Sequence, residues 1–365
     1  MRSSLCASRF IKHLLYNVII MFEKLIGNDH IKIVLRRLLT QKRVPNALLF
    51  AGENGVGKKQ FALELAKAFV CLNPKNSEAC DVCANCRRAD KFNYPKADDR
   101  DAFKKVIFSE HSDIGLVIPY NKNILVDAIR DLETEANFRP FQAQARFFII
   151  DDADKMNDSA SNALLKTLEE PPATSHIFLI TSRPDALLPT IRSRCQTVRF
   201  APVATTEIEK FLTKTGQIAV ADAALLAKLS HGRLGNAQKT DIEKFRANRA
   251  AMLKVLESIL IKTDRAELLR IGEEMNDAKN KDDFETRLDI LQTLVHDVWA
   301  MRNASDAKII VNIDLINDLK KFAERADSRR LSGWLSGIEL LREQLAFNLN
   351  RKIAADALFM QMASG

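Results

Sequence analysis

Three groups of residues in this 365-residue chain could do chemistry. The first is Gly52-Glu53-Asn54-Gly55-Val56-Gly57-Lys58-Lys59, which follows an apolar stretch and opens a helical one. Glycines allow the positive φ values that turn successive N–H groups toward phosphate oxygens. A helix N-terminus just behind them adds partial positive charge. Lys58 would reach the β and γ phosphates of a nucleotide. The next position in such a loop is Ser or Thr, whose hydroxyl holds Mg²⁺. Here it is Lys59, and an ammonium repels a cation. The expectation is a loop with the shape of a phosphate cradle and weak or absent ATP hydrolysis. Whether ATP and Mg²⁺ are held at all stays open.

The second group is Asp151-Asp152, at the end of the apolar run Phe147-Phe148-Ile149-Ile150. In open α/β sheets ligands bind at the carboxyl ends of strands. Asp151 would orient Mg²⁺ through water; the plainer alternative is that both acids cap the following helix. The third group is Cys71, Cys80, Cys83 and Cys86, spaced C-x8-C-x2-C-x2-C. Such close spacing suits a metal site better than a disulfide framework. Four thiolates can enclose a tetrahedral Zn²⁺ in a closed, structural site. An iron–sulfur cluster and free thiols remain alternatives. His111-Ser112-Asp113 lacks a nucleophile and a third partner and is read as loop polarity.

The elements that must carry these groups alternate. A helix beginning near His30 has Leu35, Leu38 and Leu39 on its apolar face, with Arg36, Arg37, Lys42 and Arg43 on the solvated side. Strands are expected at 47–51, 106–108, 116–118, 147–150 and 177–181, and helices at 58–72, 124–137 and 159–169. Strands that are nearly all apolar, separated by helices, indicate a parallel sheet covered on both faces. Beyond Pro202 the chain reads as helical to its end, with Trp299 and Trp334 in core or interface positions. The expected division is an extension at 1–20, an α/β domain at 21–203, a helical lid at 204–245 and an all-α domain at 246–365.

Composition narrows the class. The balance of 55 basic and 47 acidic residues gives a net charge of +8, which favours contact with a polyanion without requiring it. No apolar run reaches the roughly 20 residues of a membrane helix. Arg2, Arg9 and Lys12 precede an apolar patch, but no small-residue cleavage site follows, so an unstructured extension is expected there rather than a targeting segment. With no export signal, a reducing cytoplasm is the default for the cysteines.

Several motifs together resemble the bacterial clamp-loader family of AAA+ proteins. They are Asp151-Asp152-Ala153-Asp154-Lys155-Met156, Asn162 to Pro172 (NALLKTLEEPP) and Leu188-Pro189-Thr190-Ile191-Arg192-Ser193-Arg194-Cys195. The likeness covers roughly 22–240, with a weaker echo at Asn348-Leu349-Asn350. It implies an AAA+ P-loop domain, a small lid, and a helical collar that holds a hetero-oligomer together. Such a complex uses ATP to open a sliding clamp and place it on primed DNA, touching phosphates rather than bases. The resemblance implies that Arg194 is an arginine finger given to the ATP of a neighbouring motor subunit. It places Thr181 at the sensor-one position and Arg233 in the sensor-two region, and it implies zinc for the cysteine cluster. AAA+ ATPases carry Glu where this chain has Asp152, one methylene shorter. Lys59 and Asp152 both depart from the motor pattern, so the chain resembles the family's non-motor subunit, partnered by motor subunits and a clamp-opening subunit. An active motor, or a free-standing P-loop enzyme, is the alternative. Whether the chain is an enzyme in its own right stays open.

Overall fold

The computed structural model describes residues 21–215, 218–276, 283–303, 309–345 and 350–364. The expected extension at 1–20, and residues 348 and 349 of the C-terminal motif, lie outside them. The chain divides into two compact units: Met1–Gln217 with Ser230–Gln238, and Ile218–Leu229 with Lys239–Gly365. The stretch 204–245 is thus apportioned between the two.

The first unit is an α/β layer. Helices α1 (Met21–Lys24) and α2 (Asp29–Thr40) precede β1 (Ala47–Ala51), which feeds α3 (Lys58–Val70). The short α4 (Ala84–Ala89) follows, then β2 (Ile107–Phe108), β3 (Ile114–Val117), α5 (Val126–Ala136), β4 (Arg146–Ile150), α6 (Asp158–Glu169) and β5 (Ser175–Thr181). The unit continues through α7 (Pro189–Arg194), β6 (Gln196–Arg199) and α8 (Thr205–Lys214). The six strands lie in the order β2-β3-β4-β5-β1-β6. Side chains alternate across the sheet. Leu48 and Phe50 join Phe61, Leu65, Phe147 and Phe178 on one face. Ala47 and Leu49 join Phe148, Ile150, Leu132 and Leu164 on the other. Both faces are covered by helices, which is why the strands are apolar throughout.

Two features differ from the expected parallel sheet. β2 runs antiparallel to β3, because the few residues between them permit only a hairpin. β6 was not expected; it pairs parallel with β1 at the sheet edge, and of its four residues only Val198 is buried. The tight turn between β2 and β3 also carries His111 and Asp113. Both are fully buried, so the polarity there is internal rather than solvated. The Asp113 carboxylate accepts the backbone N–H groups of Phe141, Gln142 and Ala143 at 2.7, 2.9 and 2.9 Å.

The second unit is helical: α9 (Val220–Leu229), then, after α10 (Leu234–Lys239) of the first unit, α11 (Ile242–Glu257), α12 (Arg265–Asn276), α13 (Phe284–Arg302), α14 (Ile316–Arg325), α15 (Ser328–Leu345) and α16 (Arg351–Ser364). Its core is built on Leu256, Leu288, Leu291, Val298, Trp334 and Phe359. Trp334 is core, and Trp299 packs partly buried against it. No helix among the described residues is long and apolar enough to cross a membrane.

Candidate functional site

β1 ends in the glycine loop, which turns directly into α3. Gly52, Gly55 and Gly57 have φ of 156°, 84° and 97°. At Gly55 and Gly57 these are values that a Cβ strains, and Gly57 occupies the N-cap of α3. The loop therefore has the predicted cradle geometry. Lys58 is buried, and its ammonium donates to the carbonyls of Gly52 and Glu53 at 2.6 and 2.7 Å. Burial lowers its pKa, opposed by the carboxylates of Asp151, Asp152, Asp154 and Glu53. The loop's far side is closed by main chain: the N–H of Gly235 donates to the Gly55 carbonyl at 2.9 Å. Arg233, just before α10, sits beside Gly55, and its Nε donates to the Ser230 carbonyl.

The carboxyl ends of β4 and β5 lie next to this loop. Gly52 N–H bonds the carbonyl of Thr181, the last residue of β5. Every acid of the Asp151-Asp152-Ala153-Asp154 turn has a cation or hydroxyl of this same chain against it. Lys59 Nζ stands 3.1 Å from Asp151 Oδ2 and lies 5.4 Å from the Tyr94 ring centroid. Lys155 Nζ stands 2.7 Å from Asp152 Oδ2, and Asp152 itself adopts a left-handed backbone with φ 51°. Asp154 accepts the Thr181 hydroxyl at 2.7 Å and the Arg183 guanidinium at 3.0 Å. Although burial works against it, those two donors hold the Asp154 carboxyl below its usual pKa. The fully buried Thr181 is therefore committed to Asp154. The structure brings Gly52, Gly55, Gly57, Lys58, Lys59, Asp151, Asp152, Thr181 and Arg233 into one neighbourhood, and its charges are already matched internally.

Arg194 lies apart from this cluster, at the end of α7. Its side chain is 34% exposed and donates to Glu169 Oε1 at 2.7 Å and to the Thr190 carbonyl at 3.0 Å. Two neighbours of the same segment are also paired, Arg192 with Asp185 and Arg183 with Asp154.

The four cysteines converge although Cys71 is nine residues from Cys80. Cys71 caps the C-terminus of α3 and Cys83 caps the N-terminus of α4. All four sulfurs lie within 4.8 Å of one another. A tetrahedral site with Zn–S bonds of about 2.3 Å needs sulfurs roughly 3.8 Å apart, so a small contraction closes it. The N–H groups of Cys80 and Cys86 point at the sulfurs of Cys71 and Cys83 at 3.2 and 3.4 Å. Against its burial, Cys83 is drawn down to about 6 by N–H donors of Cys86 and Leu72, whereas burial pushes Cys86 up. A group of four such thiols can hold a metal ion.

This cysteine loop is tied to α3 in two further ways. Asn85 Nδ2 donates to the Val70 carbonyl at 2.9 Å. Lys67, 2% exposed, places its ammonium within 3.3 Å of Glu64, 2.7 Å of Asp81 and 2.8 Å of Asp90. Burial raises the Glu64 carboxyl to about 7, and Lys67 stays cationic: its burial is outweighed by those three acids. Asp81 also pairs with Lys24, and the buried Glu78 pairs with Arg36, so Arg36 is not part of a free basic face.

Sequence reasoning did not single out Lys155, Arg183, Glu169 or the Lys67 cluster as partners. Of these, Asp152–Lys155 and Glu64–Lys67 carried a readable signal, the i, i+3 spacing.

A largely parallel sheet with a glycine loop after β1, acids at the end of β4 and a Thr at the end of β5, followed by a helical unit, defines a P-loop protein of the AAA+ class. Family models of the DNA polymerase III delta subunit match residues 27–204, and of its C-terminal part residues 244–362. The chain belongs to this DNA polymerase III delta-subunit family. It is 29% identical over 332 residues to DNA polymerase III subunit delta' of Bacillus subtilis, covering 91% of this chain and 95% of the relative. It is 28% identical over 323 residues to subunit delta' of Escherichia coli, covering 87% and 88%. DNA polymerase III subunit tau of Bacillus subtilis is 30% identical over 278 residues, but the chain spans only 46% of that relative. Among the non-motor subunit, the motor and the free-standing enzyme, the comparisons support the first.

Proposed function

We propose that this chain serves in a bacterial clamp loader as the subunit that does not turn over ATP and lends Arg194 to a neighbour. What supports this reading is the internal neutralisation of the phosphate-loop site. Lys59 stands where a metal would meet Asp151, and Lys155 holds the shorter Asp152 away from the task of polarising water. A misplacement of about 1 Å at such a position costs on the order of 100-fold in rate. Arg194 is a planar, permanently charged group, one-third exposed, and its partners Glu169 and Thr190 are not residues of the phosphate-loop site. A guanidinium supplied in trans stabilises transition-state charge on a γ-phosphate.

In this proposal the helical residues from 246 onward form the oligomerising collar and 204–245 the lid. The neighbours are motor subunits and a clamp-opening subunit, in the cytoplasm. The sliding clamp and primed DNA are bound by the whole complex, the DNA through phosphates and hence in a salt-dependent way. The cysteine cluster holds a structural zinc rather than an iron–sulfur cluster, because four sulfurs within 4.8 Å of one another enclose a single ion and leave no room for several irons and bridging sulfides.

The deciding experiment measures ATP turnover by the chain alone and in a reconstituted loader with clamp and primed DNA. The expected result is no turnover alone. Within the loader, Arg194→Ala should slow single-turnover hydrolysis at the adjacent site by roughly 10³-fold, as for other fingers. Robust turnover by the isolated chain, or a loader indifferent to Arg194→Ala, would overturn the proposal.

A further inference from the structure

Glu169 is the last residue of α6 and Arg194 the last of α7, and the two helix ends meet side by side. We propose that Glu169 is a positioning residue for Arg194: it holds the guanidinium in the orientation from which it is presented to a neighbouring subunit. The inference rests on the finger reading above and deepens it.

The geometry carries it in three steps. A guanidinium has five N–H donors in one plane. Here Nη2 is fixed by Glu169 Oε1 at 2.7 Å and Nη1 by the Thr190 carbonyl at 3.0 Å. One hydrogen on each Nη and the Nε hydrogen remain for an incoming anion. Contacts on two different nitrogens fix the plane of the group as well as its place, which one contact cannot do. The Glu169 acceptor suits a cation, since it is a carboxylate at a helix C-terminus, where partial negative charge adds to its own. Glu169 in turn is held in place: Pro171 and Pro172 end α6 directly behind it, so its backbone cannot continue the helix or slide along it. Its side chain is 51% exposed.

An arginine left loose would have to be ordered during the reaction. Immobilising one such side chain costs enough to slow a step by roughly threefold to tenfold. Glu169 removes that requirement before the neighbour's phosphate arrives. With one hydrogen bond of charge-assisted strength and a side chain half in water, the contact is also weak enough to let the guanidinium shift by a fraction of an ångström.

The test is a double-mutant cycle in the reconstituted loader, using full-length chains and DNA-stimulated ATP turnover. Glu169→Ala should lower kcat threefold to tenfold, with KM for ATP unchanged and assembly by gel filtration intact. Glu169→Gln, which keeps an acceptor oxygen, should restore most of that loss. In an Arg194→Ala background, Glu169→Ala should have no further effect, because its only route to the reaction is gone. A Glu169→Ala loss that persists undiminished without Arg194 overturns the inference while leaving the finger reading intact. Unchanged or faster turnover overturns it too, as does failure of Glu169→Ala to assemble. An Arg194→Ala loader with full activity removes the finger reading and this inference together.

Discussion

Replacing Lys59 by Thr is the perturbation that most directly probes the internal neutralisation of the phosphate-loop site. Lys59 and Asp151 lie 3.1 Å apart with side chains 32% and 24% exposed. At an effective dielectric constant of about 20 the bare attraction is on the order of 5 kcal/mol. Most of that is cancelled by lost hydration and solvent screening, since exposed pairs return no more than about 1 kcal/mol. Lys59→Thr is therefore expected to cost about 1 kcal/mol in metal-free buffer, a fall of about 2–4 °C for a unit of this size. The same change uncovers Asp151 and sets a hydroxyl beside it. Binding of MgATP at about 100 times its Kd would then stabilise the variant by about 2.7 kcal/mol. Thermal melting of both chains, with EDTA and with MgATP, reads this out. The wild type should be insensitive to MgATP and the variant should rise by several degrees, with no turnover, because Asp152 remains short and paired with Lys155. Equal responses from the two chains would refute the idea that Lys59 takes the metal's place.

Other expectations follow from the junction between α3 and the cysteine loop. Lys67→Met leaves Glu64, Asp81 and Asp90 without their shared cation and should cost about 3–5 kcal/mol by denaturant unfolding. Because the Glu64 carboxyl is raised to about 7, its contribution to stability is complete below its unfolded value and is lost as pH rises through 7. Glu64→Gln should accordingly gain stability relative to wild type from pH 5 to pH 8, on the order of 3 kcal/mol at most; an invariant difference across that range would contradict the assignment. Cys86→Ser should abolish bound zinc by elemental analysis and lower the melting temperature, while the wild type should lack the visible absorption of an iron–sulfur cluster. Asp113→Asn exchanges a charged acceptor of three N–H groups for a neutral one and should destabilise by about 2–4 kcal/mol in a chemical denaturation experiment.

Much of the first unit was legible because its signals are local. Glycines at 52, 55 and 57 announce a turn that demands positive φ, and the uninterrupted apolar runs at 47–51 and 147–150 announce strands covered on both sides. β6 was not legible: Gln196-Thr197-Val198-Arg199 buries one side chain, so it has the composition of a loop and becomes a strand only because β1 offers it an open edge. The allocation of 218–229 to the helical unit and 230–238 to the α/β unit depends on which core each helix face meets, and no window of sequence contains that. The same holds for the ionic partners. Lys59 was recognisable as a wrong residue for metal binding, but its placement against Asp151 and Tyr94 required the fold, as did the pairing of Arg194 with Glu169 across 25 residues.

The main-chain bond between Gly235 and Gly55 has a consequence for how this sequence can change. A Cβ built on Gly55 would come within 3.2 Å of the Arg233 Cβ, and one built on Gly235 would stand 3.3 Å from the Gly55 Cα. The Gly55 Cβ would also meet the Asn236 side chain at 3.2 Å, and its positive φ adds strain of its own. A side chain at either position therefore requires its neighbours to give by a few tenths of an ångström. Two positions 180 residues apart thus bear on one junction, and a substitution at either should loosen the bond that closes the phosphate loop.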